Sequence, residues 1–108
     1  MPRTRRPGGV RDPFDPFDGP VDHTIDLHGL HAAEARAHVE KMLDAVYRKN
    51  PGALVHIITG RGRGSAGAPV LKGVVRTMLR SEQLRQVEEW ATDLDEGGYL
   101  IRLKGRRR

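Results

Sequence analysis

The sequence predicts an α/β fold, a two-layer sandwich in which a mixed four-stranded sheet packs against two helices. Segments with strand and helix patterns alternate along the chain in the order β-α-β-α-β-β, which is typical of parallel strands joined by right-handed helical crossovers. The last two strands are separated by a tight turn containing Gly97 and Gly98, so we expect that pair to be antiparallel. Two helices are too few to cover both faces of the sheet well, which predicts an open sandwich of two layers.

The first half of the predicted domain is a strand followed by a helix. Residues 24–28 alternate between polar and apolar side chains and are bounded by Gly29, which favours a short strand. Residues 32–49 carry apolar side chains at helical spacing, and an Asn-Pro-Gly sequence ends this helix. Its apolar positions are Ala35, Val39, Met42, Leu43 and Val46.

The second half repeats the pattern and adds a final strand pair. Residues 53–59 are almost continuously apolar and rich in β-branched side chains, as expected of a buried parallel strand. A glycine-rich loop covers residues 60–68, and Pro69 suits the first position of the next helix. Residues 86–92 and 99–103 are predicted to complete the sheet.

Both ends of the chain differ in composition from the predicted domain, which we assign to residues 23–104. Residues 1–22 repeat Asp-Pro-Phe without helical or strand periodicity, so we expect an extended, irregular tail. Residues 105–108 form a basic, solvated end. Phe14 and Phe17 are the only phenylalanines, and we expect one or both to pack onto the domain surface, with a partner-binding motif as the alternative.

The composition favours a polyanionic partner and excludes several classes of protein. The 108 residues include 19 Lys and Arg against 14 Asp and Glu, with a net charge of +5 and an isoelectric point near 10.2, and such a balance attracts polyanions. The absence of cysteine excludes a disulfide scaffold, a cysteine-ligated zinc site and a cysteine nucleophile. No apolar run approaches the roughly 20 residues of a membrane span, and no apolar segment follows the basic N-terminus. We therefore expect a cytoplasmic protein without a membrane partner.

Ligands of open α/β sheets bind beyond the carboxyl ends of the parallel strands, and Asp26 and His28 end the first predicted strand. Residues two apart on a strand point to the same face. A carboxylate beside an imidazole can orient it, and histidine can transfer protons near neutral pH. The alternative is structural: Asp26 caps the following segment and His28 makes a structural hydrogen bond.

The loop after the second predicted strand combines glycine with arginine in a pattern suited to phosphate. Loop glycines let the backbone approach a phosphate, whose charge is attracted by the loop N–H groups and the helix N-terminus. The two arginines add forked donors. A Walker A sequence is absent. The dinucleotide-binding fingerprint Gly-x-Gly-x-x-Gly is matched, but the chain lacks the second mononucleotide-binding half of that fold and two arginines crowd the pyrophosphate approach. A flexible connector is the remaining alternative. The loop residues in question are Thr59, Gly60, Arg61, Gly62, Arg63, Gly64 and Ser65.

The second predicted helix continues this basic character. Residues 54–81 contain five Lys and Arg and no Asp or Glu. Lys72, Arg76 and Arg80 recur every four residues, so they form a stripe along one side of the helix. This stripe is expected to follow a phosphate backbone, whereas the acidic stretch within residues 88–96 should face away from a nucleic acid.

In these motifs the chain resembles the small MutS-related (Smr) domain family over residues 24–103. Residues 25–29, Ile-Asp-Leu-His-Gly, are similar to the family's Leu-Asp-Leu-His-Gly element. Residues 59–62, Thr-Gly-Arg-Gly, are similar to its Thr-Gly-x-Gly element. The resemblance implies the fold of the C-terminal domain of a bacterial translation initiation factor, and endonuclease activity that nicks DNA in some members and cleaves RNA in others. It also implies that Asp26 and His28 take the catalytic or metal-assisting positions and that residues 59–62 form a second functional element.

The leading hypothesis is therefore a nucleic-acid-binding endonuclease acting on DNA or RNA. Asp26, His28 and Arg61 are the predicted catalytic residues: His28 transfers a proton, Asp26 orients it and Arg61 stabilises charge on the phosphate. A divalent ion such as Mg²⁺ or Mn²⁺ at Asp26 stays open, since one carboxylate is few for a two-metal mechanism. The alternatives are a nucleic-acid-binding module without turnover and a binder of small phosphate ligands. The predicted binding residues are Thr59, Gly60, Gly62, Arg63, Gly64, Ser65, Lys72, Arg76 and Arg80.

Overall fold

The computed structural model describes residues 3–5, 15–60, 68–93 and 97–105, with backbone alone described for 3–5 and 68. Within these residues the predicted sandwich of two helices and four strands is confirmed, and a short fifth strand joins the sheet. The elements are β1 (Arg3–Arg5), β2 (His23–Asp26), α1 (Ala32–Lys49), β3 (Leu54–Ile58), α2 (Ala68–Arg80), β4 (Val87–Asp93) and β5 (Gly98–Leu103).

The sheet has the strand order β1-β4-β5-β3-β2. Strand β2 pairs parallel with β3, and β5 pairs antiparallel with both β3 and β4. Strands β3 and β4 therefore run in the same direction with β5 between them. This arrangement agrees with the predicted helical crossovers and the predicted antiparallel final pair.

Two details of the prediction are wrong. The tail is not irregular throughout, because β1 pairs parallel with β4, with Arg3 opposite Ala91 and Arg5 opposite Asp93. The first predicted strand also ends earlier than expected, at Asp26 instead of His28. The backbone turns at His28 and Gly29, where the φ angle of Gly29 is +84°, a conformation that glycine adopts at little cost.

Both helices contribute to one apolar core. Side chains on one side of α1 are buried, among them Val39 and Leu43, and α2 adds Leu71, Val75 and Met78. Alternate residues of the central strands complete this core from the sheet. The Tyr99 hydroxyl also donates a hydrogen bond to the Lys72 carbonyl at 3.1 Å, which ties α2 to β5.

The opposite face of the sheet has a second, smaller apolar cluster. Phe17 packs there with Leu54, Ala91 and Leu100, and is only 1% exposed. The prediction that a tail phenylalanine packs onto the domain is confirmed for Phe17, while Phe14 lies outside the described residues.

One side chain of β5 binds the segment that carries Phe17. The Arg102 guanidinium donates hydrogen bonds to the carbonyls of Pro16 and Asp18. It also donates to the Gly52 carbonyl, at 2.7 Å. Three carbonyls from two separate stretches of chain therefore meet at one cation.

Candidate functional site

The site lies where the parallel strands β2 and β3 end side by side. Asp26 is paired with Ile58 in the sheet register, and the Leu27 N–H donates to the Ile58 carbonyl at 2.8 Å. The Asp-Leu-His-Gly element and the Thr-Gly element are therefore neighbours at one edge of the sheet, as predicted from the carboxyl ends of parallel strands.

Asp26 and His28 form a directly bonded pair at this edge. The Asp26 Oδ1 atom lies 2.8 Å from His28 Nδ1 and accepts the His28 backbone N–H at 3.1 Å. The predicted proximity is confirmed, but the predicted reason is wrong: His28 lies in the turn after the strand. The turn, and not strand alternation, brings the imidazole back over the carboxylate.

The charge of the Asp26 carboxylate determines which ring nitrogen of His28 carries the hydrogen. Desolvation is the largest effect and raises the pKa of Asp26, but the hydrogen bonds and charge interaction with His28 together lower it below its ordinary value. Asp26 is then an ionised acceptor at neutral pH, so His28 Nδ1 must carry the hydrogen. Nε2 is left to accept or donate a proton. The His28 side chain is 72% exposed, which leaves this atom accessible to a substrate.

Thr59 and Gly60 are held at the start of the glycine-rich loop by one carbonyl. The Gly97 oxygen accepts hydrogen bonds from the Thr59 N–H at 2.9 Å, the Gly60 N–H at 3.2 Å and the Thr59 hydroxyl at 3.3 Å. Thr59 is completely buried. The φ angle of Gly60 is +100°, so the chain turns sharply there into the loop.

Gly98 permits this close packing of the β4–β5 turn against β3. A Cβ atom at Gly98 would lie 1.8 Å from the Ile57 carbonyl oxygen, which no side chain tolerates. The Gly-Gly turn therefore has two roles. It reverses the chain between β4 and β5, and it lets β5 approach the end of β3 where the loop begins.

The central residues of the loop lie outside the described residues. These are the predicted catalytic residue Arg61 and the predicted binding residues Gly62, Arg63, Gly64 and Ser65.

The three predicted cations of α2 are all placed by the structure. Arg76 and Arg80 are exposed and Lys72 is half-buried, and successive members are about 6 Å apart along the helix axis. In the part of the chain that the structure describes, none of the three forms an ion pair. Arg48 on α1 differs, since it pairs with Asp44 at 3.0 Å.

A second carboxylate–imidazole pair, which no sequence motif predicted, lies on the sheet face opposite the helices. His56 Nε2 and Asp93 Oδ2 are 2.9 Å apart across β5, and their side chains are 16% and 6% exposed. Alternation along β3 places His56 on the face opposite to Val55 and Ile57, but nothing in the sequence indicates Asp93 as its partner. Asp93 belongs to the acidic stretch that was expected to face away from a nucleic acid, and its carboxylate bonds to His56.

The described residues contain no cluster of three or more His, Asp or Glu side chains that could hold a metal ion, and no helix among them is long and apolar enough to cross a membrane. Asp26 is the only predicted metal ligand. Its Oδ1 atom accepts both bonds from His28, so a cation would meet Oδ2.

Comparisons with known proteins agree with this geometry. The Smr domain family matches residues 25–99, a range that includes both motif elements and the helix between the loop and β4. The crystal structure of the Smr domain of Thermus thermophilus MutS2 superposes with a TM-score of 0.61 at 24% sequence identity. The match covers 76% of this chain and 98% of that one. Curated proteins gave no significant match. With the two motif elements side by side at the sheet edge and the family match spanning most of the sandwich, the chain belongs to the Smr domain family.

Proposed function

We propose that this protein binds nucleic acid and cleaves its phosphodiester bonds as an endonuclease. The observation that carries the proposal is the Asp26–His28 pair, an exposed imidazole oriented by an ionised carboxylate. It lies beside the Thr59–Gly60 corner from which the basic, glycine-rich loop departs.

Binding begins with long-range attraction to the phosphates. Helix α2 has three cations and no acidic residue, and its exposed arginines have no competing carboxylate among the described residues. Contacts of this kind neutralise phosphates and release counterions without reading base sequence. Arg61 and Arg63 are proposed to add forked contacts at the phosphate that is cleaved.

Proton transfer is assigned to His28. With Nδ1–H held by Asp26, Nε2 can take a proton from the attacking group or give one to the leaving oxygen. The Asp26 carboxylate stabilises the imidazolium formed when Nε2 accepts a proton. Arg61 is proposed to stabilise the negative charge that develops on the phosphate.

Thr59 is proposed to position the start of the glycine-rich loop. Its side chain is buried and its hydroxyl donates to the Gly97 carbonyl, so it sets the point where the loop leaves the sheet. A divalent ion such as Mg²⁺ or Mn²⁺ would have Asp26 Oδ2 and substrate phosphate oxygens as its ligands, and would supply further stabilisation of charge on the phosphate.

The experiment that tests the proposal is a substrate panel. Purified protein is incubated with end-labelled single-stranded, duplex and branched DNA and RNA, with Mg²⁺, with Mn²⁺ and with EDTA. We expect discrete cleavage products from at least one substrate. Binding without product on every substrate would contradict catalysis and favour a nucleic-acid-binding module. Absence of binding would contradict both.

A further inference from the structure

Gly73 occupies a position in α2 that the fold does not require to be glycine. It lies in the interior of the helix and is exposed, and a Cβ atom built on it would meet nothing within 4 Å. Its φ angle is not in the left-handed region. Glycine inside a helix is less favourable than alanine by about 1 kcal/mol, so no contact within the described part of the chain explains this unfavourable choice.

The side chains around Gly73 form a distinctive exposed surface. Residues three, four and seven positions away share one side of a helix, and these include Val70, Arg76, Thr77 and Arg80, all of them exposed. Val70 is 57% exposed and is the only large exposed hydrophobic residue among those described. We call these five residues, including Gly73, the α2 face.

The chemistry of the α2 face fits a sugar–phosphate backbone. At one end lie the guanidinium groups of Arg76 and Arg80, which form no ion pair with any described residue and suit phosphate oxygens. An apolar side chain at the other end suits the carbon face of a sugar. Between them Gly73 exposes helix backbone without a side chain, which lets a bulky partner approach closely. Because α2 carries basic residues and no carboxylate, its charge is complementary to an anionic partner.

We propose that the α2 face docks onto the sugar–phosphate backbone of the nucleic acid, with one strand lying directly against the helix at Gly73. Val70 packs on a sugar, and Arg76 and Arg80 bind the phosphates that follow. This inference rests on the proposed nucleic-acid binding and adds the surface and the mode of contact.

The test uses the opposite effects that the proposal predicts for stability and binding. Replacing Gly73→Gln adds a better helix former at a site with free space, so Tm should stay equal or rise by a few degrees. The same side chain should hold the backbone away and weaken binding to the substrate identified by the panel by about tenfold or more, which corresponds to about 1.4 kcal/mol. Gly73→Ala should raise Tm and weaken binding by a smaller factor.

The matched control is Ala45→Gln, which adds the same side chain at an exposed position on α1. Its affinity should equal that of the parent. Val70→Ala provides a second variant that cannot disturb the core, because Val70 is exposed, and it should weaken binding several-fold. Fluorescence anisotropy gives the affinities, and circular dichroism gives the fold and Tm.

The outcomes separate this proposal from the one on which it rests. If the parent binds nucleic acid and the affinities of Gly73→Gln and Val70→Ala are both within twofold of the parent affinity, the docking mode alone is overturned. A parent that binds neither DNA nor RNA overturns the proposed function and the docking mode together. Loss of self-association in the Gly73→Gln variant, with nucleic-acid affinity unchanged, assigns the α2 face to a second copy of the chain and also overturns the docking mode.

Discussion

Replacing His28 with alanine should slow cleavage by a factor of about 10²–10⁴ while leaving the fold intact. His28 is 72% exposed, and among the described residues its ring bonds only to Asp26. Exposed pairs of this kind contribute about 1 kcal/mol or less to stability. The backbone N–H that also binds Asp26 is retained in the variant. The effect on folding is therefore small, whereas the loss of proton transfer raises the barrier by about 3–5 kcal/mol.

The assay is single-turnover cleavage at saturating protein, using the substrate identified by the panel, so that weaker binding cannot imitate slower chemistry. His38→Ala is the matched control, because His38 is a partly exposed histidine on α1 outside the site. It should cleave at the parent rate. If folded His28→Ala cleaves within about threefold of the parent, proton transfer by His28 is refuted. A binding module, or cleavage that depends on Arg61 and a metal-bound water, would then explain the domain better.

Three further predictions concern binding, folding and acid stability. Replacing Lys72, Arg76 and Arg80 together by alanine should flatten the slope of log affinity against log salt concentration by up to about 2.7, because about 0.9 counterions are released per phosphate contact; an unchanged slope would remove the three cations from the interface. Phe17→Ala should lower the free energy of unfolding in urea by about 3 kcal/mol, since Phe17 is 1% exposed and its loss leaves a cavity under the sheet; a change below about 1 kcal/mol would contradict its place in the core. The pKa of Asp26 is lowered in the folded state, so its stabilising contribution is complete above its ordinary pKa of 3.8 and is lost as the pH falls through the lower folded pKa. Urea titrations between about pH 5 and pH 2 should therefore show a smaller loss of stability in Asp26→Asn than in the parent, and equal losses would contradict the shift.

The sequence alone predicted the elements well, because local signals determine most of their limits. The helix predicted at residues 32–49 matches α1, since its apolar side chains repeat with helical period and an Asn-Pro-Gly sequence ends it. The glycine-bounded strand 24–28 was extended too far, because alternation continues through Leu27 and His28. Only the pairing of β2 with β3 shows that the regular ladder ends at Asp26, whose partner is Ile58.

The two motif elements were predicted to share one edge, and the parallel pairing of β2 and β3 confirms it. Chain order was sufficient for that inference, since a strand–helix–strand unit places both carboxyl ends together. The chemistry of Asp26 and His28 left a structural role open, and their assignment as catalytic residues rests on the resemblance to the Smr family. The roles of Asp26, His28 and Arg61 stay predictions.

Only the tertiary structure decided the contacts between residues distant in sequence. The bonds from Arg102 to Pro16 and Asp18, and the pairing of His56 with Asp93 across β5, join residues at least 37 positions apart. No periodicity or spacing encodes such partners, because each depends on which strands become neighbours. Local pattern determined that this chain forms a sandwich with a basic second helix. Strand order determined that Phe17 covers the face without helices, that Thr59 is buried against Gly97, and that Asp93 bonds to His56.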